Sequence, residues 1–255
     1  MKRINSPVFL TAIAAFLIVI GLSGCVIISF DDLNSVTAKG DPENYEFKVG
    51  EYNAIKAEGF CDIRYYNGRS AAGASPGTVI LSLPPNVREY YRVEVINGEL
   101  VVSTTKRISY HSNNSPVLTV STPVLNRLVI DGAGAFTAYD KITASSLTII
   151  IRGAGSSKAE LEVDSLYAEL SGAGNMELSG RADTVDINIS GIGELDALAL
   201  ETRETVINLS GTGHVGVNCS QNLRINADGM GAIEYRGAPN ISINKTGMVS
   251  IKQLN

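Results

Sequence analysis

The 255-residue sequence has no tryptophan, and aromatic residues make up only 6% of it. Charged residues are sparse at 18%, and there are only two histidines and three cysteines. The net charge of −5 gives no electrostatic basis for nucleic-acid binding, which needs clustered positive charge. The thin stock of His and Cys, with no C-x-x-C spacing, argues against a structural zinc site. Disorder requires low hydrophobicity and high charge, and 44% hydrophobic residues exclude it. What the chain has in excess is glycine, 25 residues of it, which is costly inside helices and speaks against a helical bundle.

The one long apolar run is at the start. Lys2 and Arg3 precede an almost unbroken apolar stretch from Val8 to Leu22, and Leu22-Ser23-Gly24-Cys25 follows. This resembles the bacterial lipobox, in which the cysteine becomes the lipidated first residue of the mature protein. The expected organisation is a signal peptide over 1–24, then a lipidated Cys25 and polar tether over 25–44, then one domain over 45–255. Acyl chains on Cys25 would supply the multiple anchors that stable membrane attachment needs. The competing reading is an uncleaved anchor over Val8–Phe30, long enough to span a bilayer. Either way the domain lies outside the cytoplasmic membrane. An exported location permits a disulfide, but Cys61 and Cys219 both fall on the inward parity of strands, where buried free thiols are the simpler expectation.

From Tyr45 the pattern has the period of β-strands. Ile55, Ala57, Gly59, Cys61 and Ile63 alternate with polar neighbours. Thr78–Leu83 reads as a strand stopped by Pro84-Pro85, and Tyr90–Thr104 as a hairpin turning at Asn97-Gly98. This region, 45–124, is irregular. The region 125–255 is a repeat, marked by Gly132/Gly134, Gly153/Gly155, Gly172/Gly174, Gly191/Gly193, Gly211/Gly213 and Gly229/Gly231. Successive first glycines are 18 to 21 residues apart, and a degenerate seventh copy begins at Gly247 with Val249 in the second place. A period near 20 is the signature of a stacked repeat.

Each copy carries apolar residues four and two positions before the first glycine, as in Leu128/Ile130, Ile187/Ile189 and Ile207/Leu209. The glycines share that inward parity, so they mark core positions without room for a side chain or places where the strand bends sharply across its neighbour. On the opposite parity stand Asn188, Asn208, Asn226 and Asn244, and then Ser171, Ser190, Ser210 and Thr246. Parallel rungs ~4.8 Å apart would align these into outer columns, with Asn side chains bonding from rung to rung. The expected fold is all-β, a two-sided parallel β-helix or β-solenoid of about seven ~20-residue rungs behind a less regular β region.

The strand around Gly59, the Asn97-Gly98-Glu99-Leu100 turn, the Ser121-Thr122-Pro123 lead-in to Leu128-Val129-Ile130-Asp131-Gly132-Ala133-Gly134, and the repeated Ser-Gly-x-Gly steps form an ordered set. Together they resemble the auto-transporter adhesin heads called head GIN domains. That resemblance implies a right-handed parallel β-helix at the cell envelope and brings no catalytic residues with it.

Six Gly-x-Gly copies at a fixed period, without the following helix of a dinucleotide site, imply structure and no cofactor. The calcium β-roll repeat is half this length and carries an Asp column that is missing here, so no metal is expected. Glu160, Glu162, Asp164, Glu177, Asp183, Glu194 and Asp196 supply carboxylates, but their spacing does not assemble a glycosidase pair. The expectation is a non-enzymatic, envelope-anchored binding or scaffold domain. Its partners would be the membrane through Cys25 and a glycan or envelope protein on the Asn and Ser/Thr columns. Those columns also serve as ladders that stabilise the stack. The alternatives are a polysaccharide lyase or hydrolase on the same fold, and an accessory protein of envelope stress or assembly.

Overall fold

A computed structural model describes residues 35–71, 73–111 and 114–255. The signal segment, Cys25 and the first part of the tether lie outside the described residues. The strands run β1 (Ser35–Thr37), β2 (Glu43–Lys48), β3 (Ala54–Phe60), β4 (Asp62–Tyr66), β5 (Thr78–Leu83), β6 (Tyr91–Ile96), β7 (Glu99–Thr104), β8 (Arg107–Ser109) and β9 (Val117–Ser121). The repeat follows as β10 (Arg127–Ala138), β11 (Ile142–Ile151), β12 (Ala154–Leu170), β13 (Ala173–Ile189), β14 (Ile192–Leu209), β15 (Thr212–Ala227), β16 (Met230–Arg236), β17 (Asn240–Lys245) and β18 (Met248–Gln253).

From β10 onward every pairing is parallel, and the glycine steps stay in register from one rung to the next: Gly155 against Gly174, Gly174 against Gly193, Gly193 against Gly213. The register shifts only at the far end of the rung, between Glu177 and Ser179 on β13–β14 and between Ala197 and Glu204 on β14–β15. The chain is a β-solenoid of about seven turns, as the period of the glycines requires. Each rung has two faces. Along β12 the buried residues run Ala159, Leu161, Val163 and then Leu166, Ala168, Leu170; the parity flips across Asp164 and Ser165, which mark one corner. The Gly-x-Gly step is the other. The expected core columns are buried, Leu128–Ile149–Ala168–Ile187–Ile207–Ile225 on one line and Ile130–Ile151–Leu170–Ile189–Leu209–Ala227 beside it.

The glycines are explained by the second of the two expected causes. A Cβ built on Gly132, Gly153, Gly172, Gly191, Gly211, Gly229 or Gly247 would run into the carbonyl oxygen of the first glycine of the rung before, far inside van der Waals contact. The series begins at Gly59, which lies beside Gly132. The second column behaves alike: the Cβ of Gly174 would strike the Gly155 carbonyl, and that of Gly193 the Gly174 carbonyl. What forbids a side chain is therefore chiefly the backbone of the neighbouring rung at the bend; at Gly155 and Gly193 the core side chains of Ile130 and Leu170 crowd the same space.

Gly231 corrects the expectation that these glycines are core positions. It is exposed, whereas the other paired glycines are buried or half-buried. The cause is its place near the end of the stack, where the short last strand β18, with Val249 beside Gly231, is all that covers β16. Gly231 is still a structural glycine, for backbone reasons alone. Its φ of 136° lies in the region side chains rarely adopt, and its Cβ would strike the Gly213 carbonyl.

The irregular region closes one end of the stack. β3 and β4 lie under β10, and β7 and β9 lie in turn under β3 and β4, all parallel. Antiparallel β6, β5 and β2 then finish the two sheets. The Asn97-Gly98 turn joins β6 to β7 with both residues at positive φ, 53° and 81°, as a type I′ turn demands. β5 stops where Pro84 begins. Within the stretch read as a polar lead-in, β1 pairs with β8, Ala38 is buried, and Asn86 donates through Nδ2 to the Thr37 carbonyl.

Cys61 and Cys219 are buried and free. Cys61 lies in the β3–β4 rung and Cys219 in β15, five rung steps away by the pairing of Gly134, Gly155, Gly174, Gly193 and Gly213. At ~4.8 Å per step they stand ~24 Å apart, well beyond disulfide reach. Burial pushes the Cys61 thiol up to about 12, so it is an inert core side chain.

Candidate functional site: the outer ladder face

The outward positions of the sheet that precedes each Gly-x-Gly step form a broad polar face. Asn188, Asn208, Asn226 and Asn244 are successive register partners, as expected. The amides of the first three are wired in one direction. Asn226 Nδ2 donates to Asn208 Oδ1 at 2.8 Å, and Asn208 Nδ2 to Asn188 Oδ1 at 3.0 Å. Asn188 Nδ2 donates to Asp186 Oδ1 at 2.9 Å. A chain of amide dipoles thus ends on a carboxylate, an arrangement in which each bond polarises the next.

One rung earlier the column continues with Glu169, the register partner of Asn188. Its carboxylate accepts from Tyr167 Oη at 3.0 Å and from Ser171 Oγ at 3.3 Å. Tyr167 is the register partner of Asp186. Desolvation holds the Tyr167 phenol above its ordinary pKa, and the hydrogen bond to Glu169 and the Asp186 charge add to this, so the phenol stays protonated and remains a donor. Ser165, Tyr167, Thr184, Asp186, Glu204 and Val206 line a shallow depression of about 320 Å³.

The Ser/Thr column is brought together with one departure. Ser171, Ser190 and Ser210 stack in exposed positions, but Asp228 stands between Ser210 and Thr246. The repeat therefore places an acid where strict periodicity would put a hydroxyl. The carboxylates considered for catalysis are dispersed: Glu160 and Glu162 face Lys141, Glu177 faces Lys158, and Asp183 faces Arg181. Among the described residues no group of three or more His, Cys, Asp or Glu side chains is placed to hold a metal ion.

Of the early tyrosines, Tyr65 and Tyr91 are core residues. Tyr65 donates to the Thr122 carbonyl at 3.0 Å and Tyr91 to the Phe60 carbonyl at 2.9 Å. Tyr66 does something the sequence does not disclose. It stacks on exposed Tyr139 with ring centres 5.2 Å apart, and the Arg69 guanidinium lies 4.8 Å over its ring while Nε bonds Asp140 at 2.6 Å. Seventy-odd residues separate the two halves of this platform and no local pattern links them. Tyr167 gives no signal of its own in the sequence, because its aromatic ring sits in a column otherwise made of Thr148, Asp186, Val206, Arg224 and Ser242.

A capped parallel β-solenoid carrying a hydrogen-bonded polar face defines the class of fold to which the chain belongs. The chain belongs to the family described as "Putative auto-transporter adhesin, head GIN domain", whose family model matches residues 51–239. Solved structures share the fold. A "putative adhesin" from Bacteroides fragilis NCTC 9343 superposes with a TM-score of 0.77 at 24% identity, over 86% of this chain and 100% of that one. A "putative lipid binding protein" from Parabacteroides distasonis ATCC 8503 gives 0.68 at 22% identity, over 87% and 100%. A "putative adhesin" from Parabacteroides merdae ATCC 43184 gives 0.62 at 18% identity, over 87% and 100%. Among curated proteins no sequence matches the chain.

Proposed function

We propose that this chain is a non-enzymatic binding domain of the cell envelope, held to a membrane by lipid on Cys25, and that it engages a hydroxyl-rich ligand through the outer ladder face. The observation that carries this is the Asn226–Asn208–Asn188–Asp186 relay ending beside Tyr167. Fixed amide donors and acceptors beside an aromatic ring and carboxylates match the hydroxyl groups and apolar faces of a carbohydrate. The family's description as an adhesin head supports an envelope location and a binding role.

Two experiments test the two halves of the proposal. Metabolic labelling with a palmitate analogue is expected to tag the full chain and to fail on Cys25→Ser; equal labelling of both removes the anchor. On a glycan array the full chain is expected to bind, and Asn188→Lys with Asn208→Lys to abolish binding while the strand signal in circular dichroism persists. Binding that survives both substitutions moves the ligand elsewhere.

A second reading has its own observation. The middle residues of the Gly-x-Gly steps form an outward column in which Ile192, Met230 and Met248 are exposed around Thr212. One solved relative of the fold is described as lipid binding, and this stripe is where an acyl chain would lie. Co-sedimentation with phosphatidylcholine vesicles, lost in Ile192→Lys with Met230→Lys, would support it; sedimentation unaffected by those changes would exclude it.

A further inference from the structure

All six residues of β17 are exposed, and among the described residues β17 pairs only with β15. Ile241 and Ile243 nevertheless occupy core-facing positions. Their register partners Leu223 and Ile225 are 1% and 0% exposed, whereas Ile241 and Ile243 are 40% and 49% exposed. This open edge reads Asn240-Ile241-Ser242-Ile243-Asn244, the same in both directions. It also lies beyond the residues that the family model matches.

We propose that β17 pairs antiparallel with β17 of a second copy of this chain, about a two-fold axis normal to the sheet through Ser242. The palindrome makes that pairing self-complementary. Ile241 falls opposite Ile243 of the second copy and Ile243 opposite its Ile241, all four on the core side. Ser242 meets Ser242, and Asn240 meets Asn244, all on the outer face. An axis normal to the sheet keeps inward residues inward, so the apolar columns run on from one solenoid into the next. A shared patch related to itself by a two-fold axis gives a closed dimer.

The alternative of one solenoid stacking head to tail on the next is opposed by Lys245. It holds the core-facing position after Ile243, where its register partner in β15 is Ala227, and its Nζ donates to the Val249 carbonyl at 2.8 Å. A parallel rung laid on β17 would set an apolar residue directly on this ammonium, and an inward-pointing charge on an edge strand blocks such addition. In the two-fold arrangement Lys245 falls opposite Pro239, which has no N–H to pair and ends the ladder. The two Lys245 residues stand six residues apart along the strand, ~20 Å, so their charges are screened from one another. The dimer would also join the outer Asn columns of both copies into one longer face, which makes a ligand contact bivalent; the pairing itself does not depend on what that face binds.

The test is position-specific cross-linking of the full-length chain in membranes. Ser242→Cys places two thiols at the axis, within the ~4.4–6.8 Å Cα range that a disulfide spans. Asn244→Cys places its two thiols four residues apart, ~14 Å, out of range. Both positions are exposed on the outer face, and native Cys61 and Cys219 are buried. With a mild oxidant, Ser242→Cys is expected to give a dimer band at least about tenfold stronger than Asn244→Cys, and Ile243→Lys in the Ser242→Cys background to remove it. No dimer from Ser242→Cys, or equal yields from both positions, would overturn the proposal.

Discussion

At the N-terminal end of the stack, antiparallel β6, β5 and β2 lie over the last parallel strands, and Tyr65, Leu83, Tyr91 and Leu100 are fully enclosed. At the other end β17 leaves Ile241 and Ile243 half in solvent. The same repeat thus meets the problem of its own edge in two ways. One end covers the last parallel strands with antiparallel ones, and the change of strand direction breaks the register that a further rung would need. The other keeps the register, places Lys245 inward, and presents a palindromic strand suited to a partner of its own kind. Between the ends each rung depends on its two neighbours, and substitutions should report their place along this axis.

The largest effect is expected in the middle. Gly172→Val would press a side chain into the Gly153 carbonyl with rungs fixed on both sides, costing more than about 3 kcal/mol and appearing as loss of soluble protein. Gly247→Val meets the Gly229 carbonyl in the same way, but the last rung is free to shift. It should remain soluble with a smaller fall in Tm. Next, Leu100→Ala beneath the cap should cost about 2–5 kcal/mol, against less than about 1 kcal/mol for Ile243→Ala at protein concentrations where the chain is monomeric. Urea denaturation of the pair measures that difference, and equal losses would mean the two ends are equally packed.

The smaller effects probe the ladders. Asn208→Ala removes three hydrogen bonds, two to neighbouring Asn amides and one to Asp186, and should cost about 1 kcal/mol, whereas Asn244→Ala, at the end of the column, should fall within about 0.5 kcal/mol of the parent. Ser157 is buried between Phe136 and Met176 in an apolar column, and its hydroxyl has no hydrogen-bond partner. Ser157→Ala should therefore raise stability by about 1 kcal/mol, or ~2–4 °C in Tm.

Much of the repeat is legible because a solenoid converts sequence period directly into contact. Residues one period apart become register partners, so Asn188, Asn208 and Asn226 announce their hydrogen bonds in advance. The turn at Asn97-Gly98 and the stop at Pro84 are legible for a local reason, since positive φ and a missing N–H act within a few residues. The order of the capped end is not. β7 and β9 lie beneath β3 and β4, while β10, later still in the chain, lies on the opposite side. No period records such a reversal. The Tyr66–Tyr139 stack is hidden for the same reason. The role of the glycines is half visible: parity shows where they point, but only the neighbouring carbonyls show what they avoid. Gly231 marks the limit of parity, because the period cannot say which copy lies near an uncovered end.

The most direct test of this account compares two adjacent residues at one bend, Ser190, which faces outward, and Gly191, whose Cβ would strike the Gly172 carbonyl. Thermal melting of Ser190→Ala and Gly191→Ala should show the first within ~2 °C of the parent and the second lower by ~6 °C or more. Equal melting temperatures would contradict the claim that the stack is built on backbone-to-backbone contact at the glycine columns.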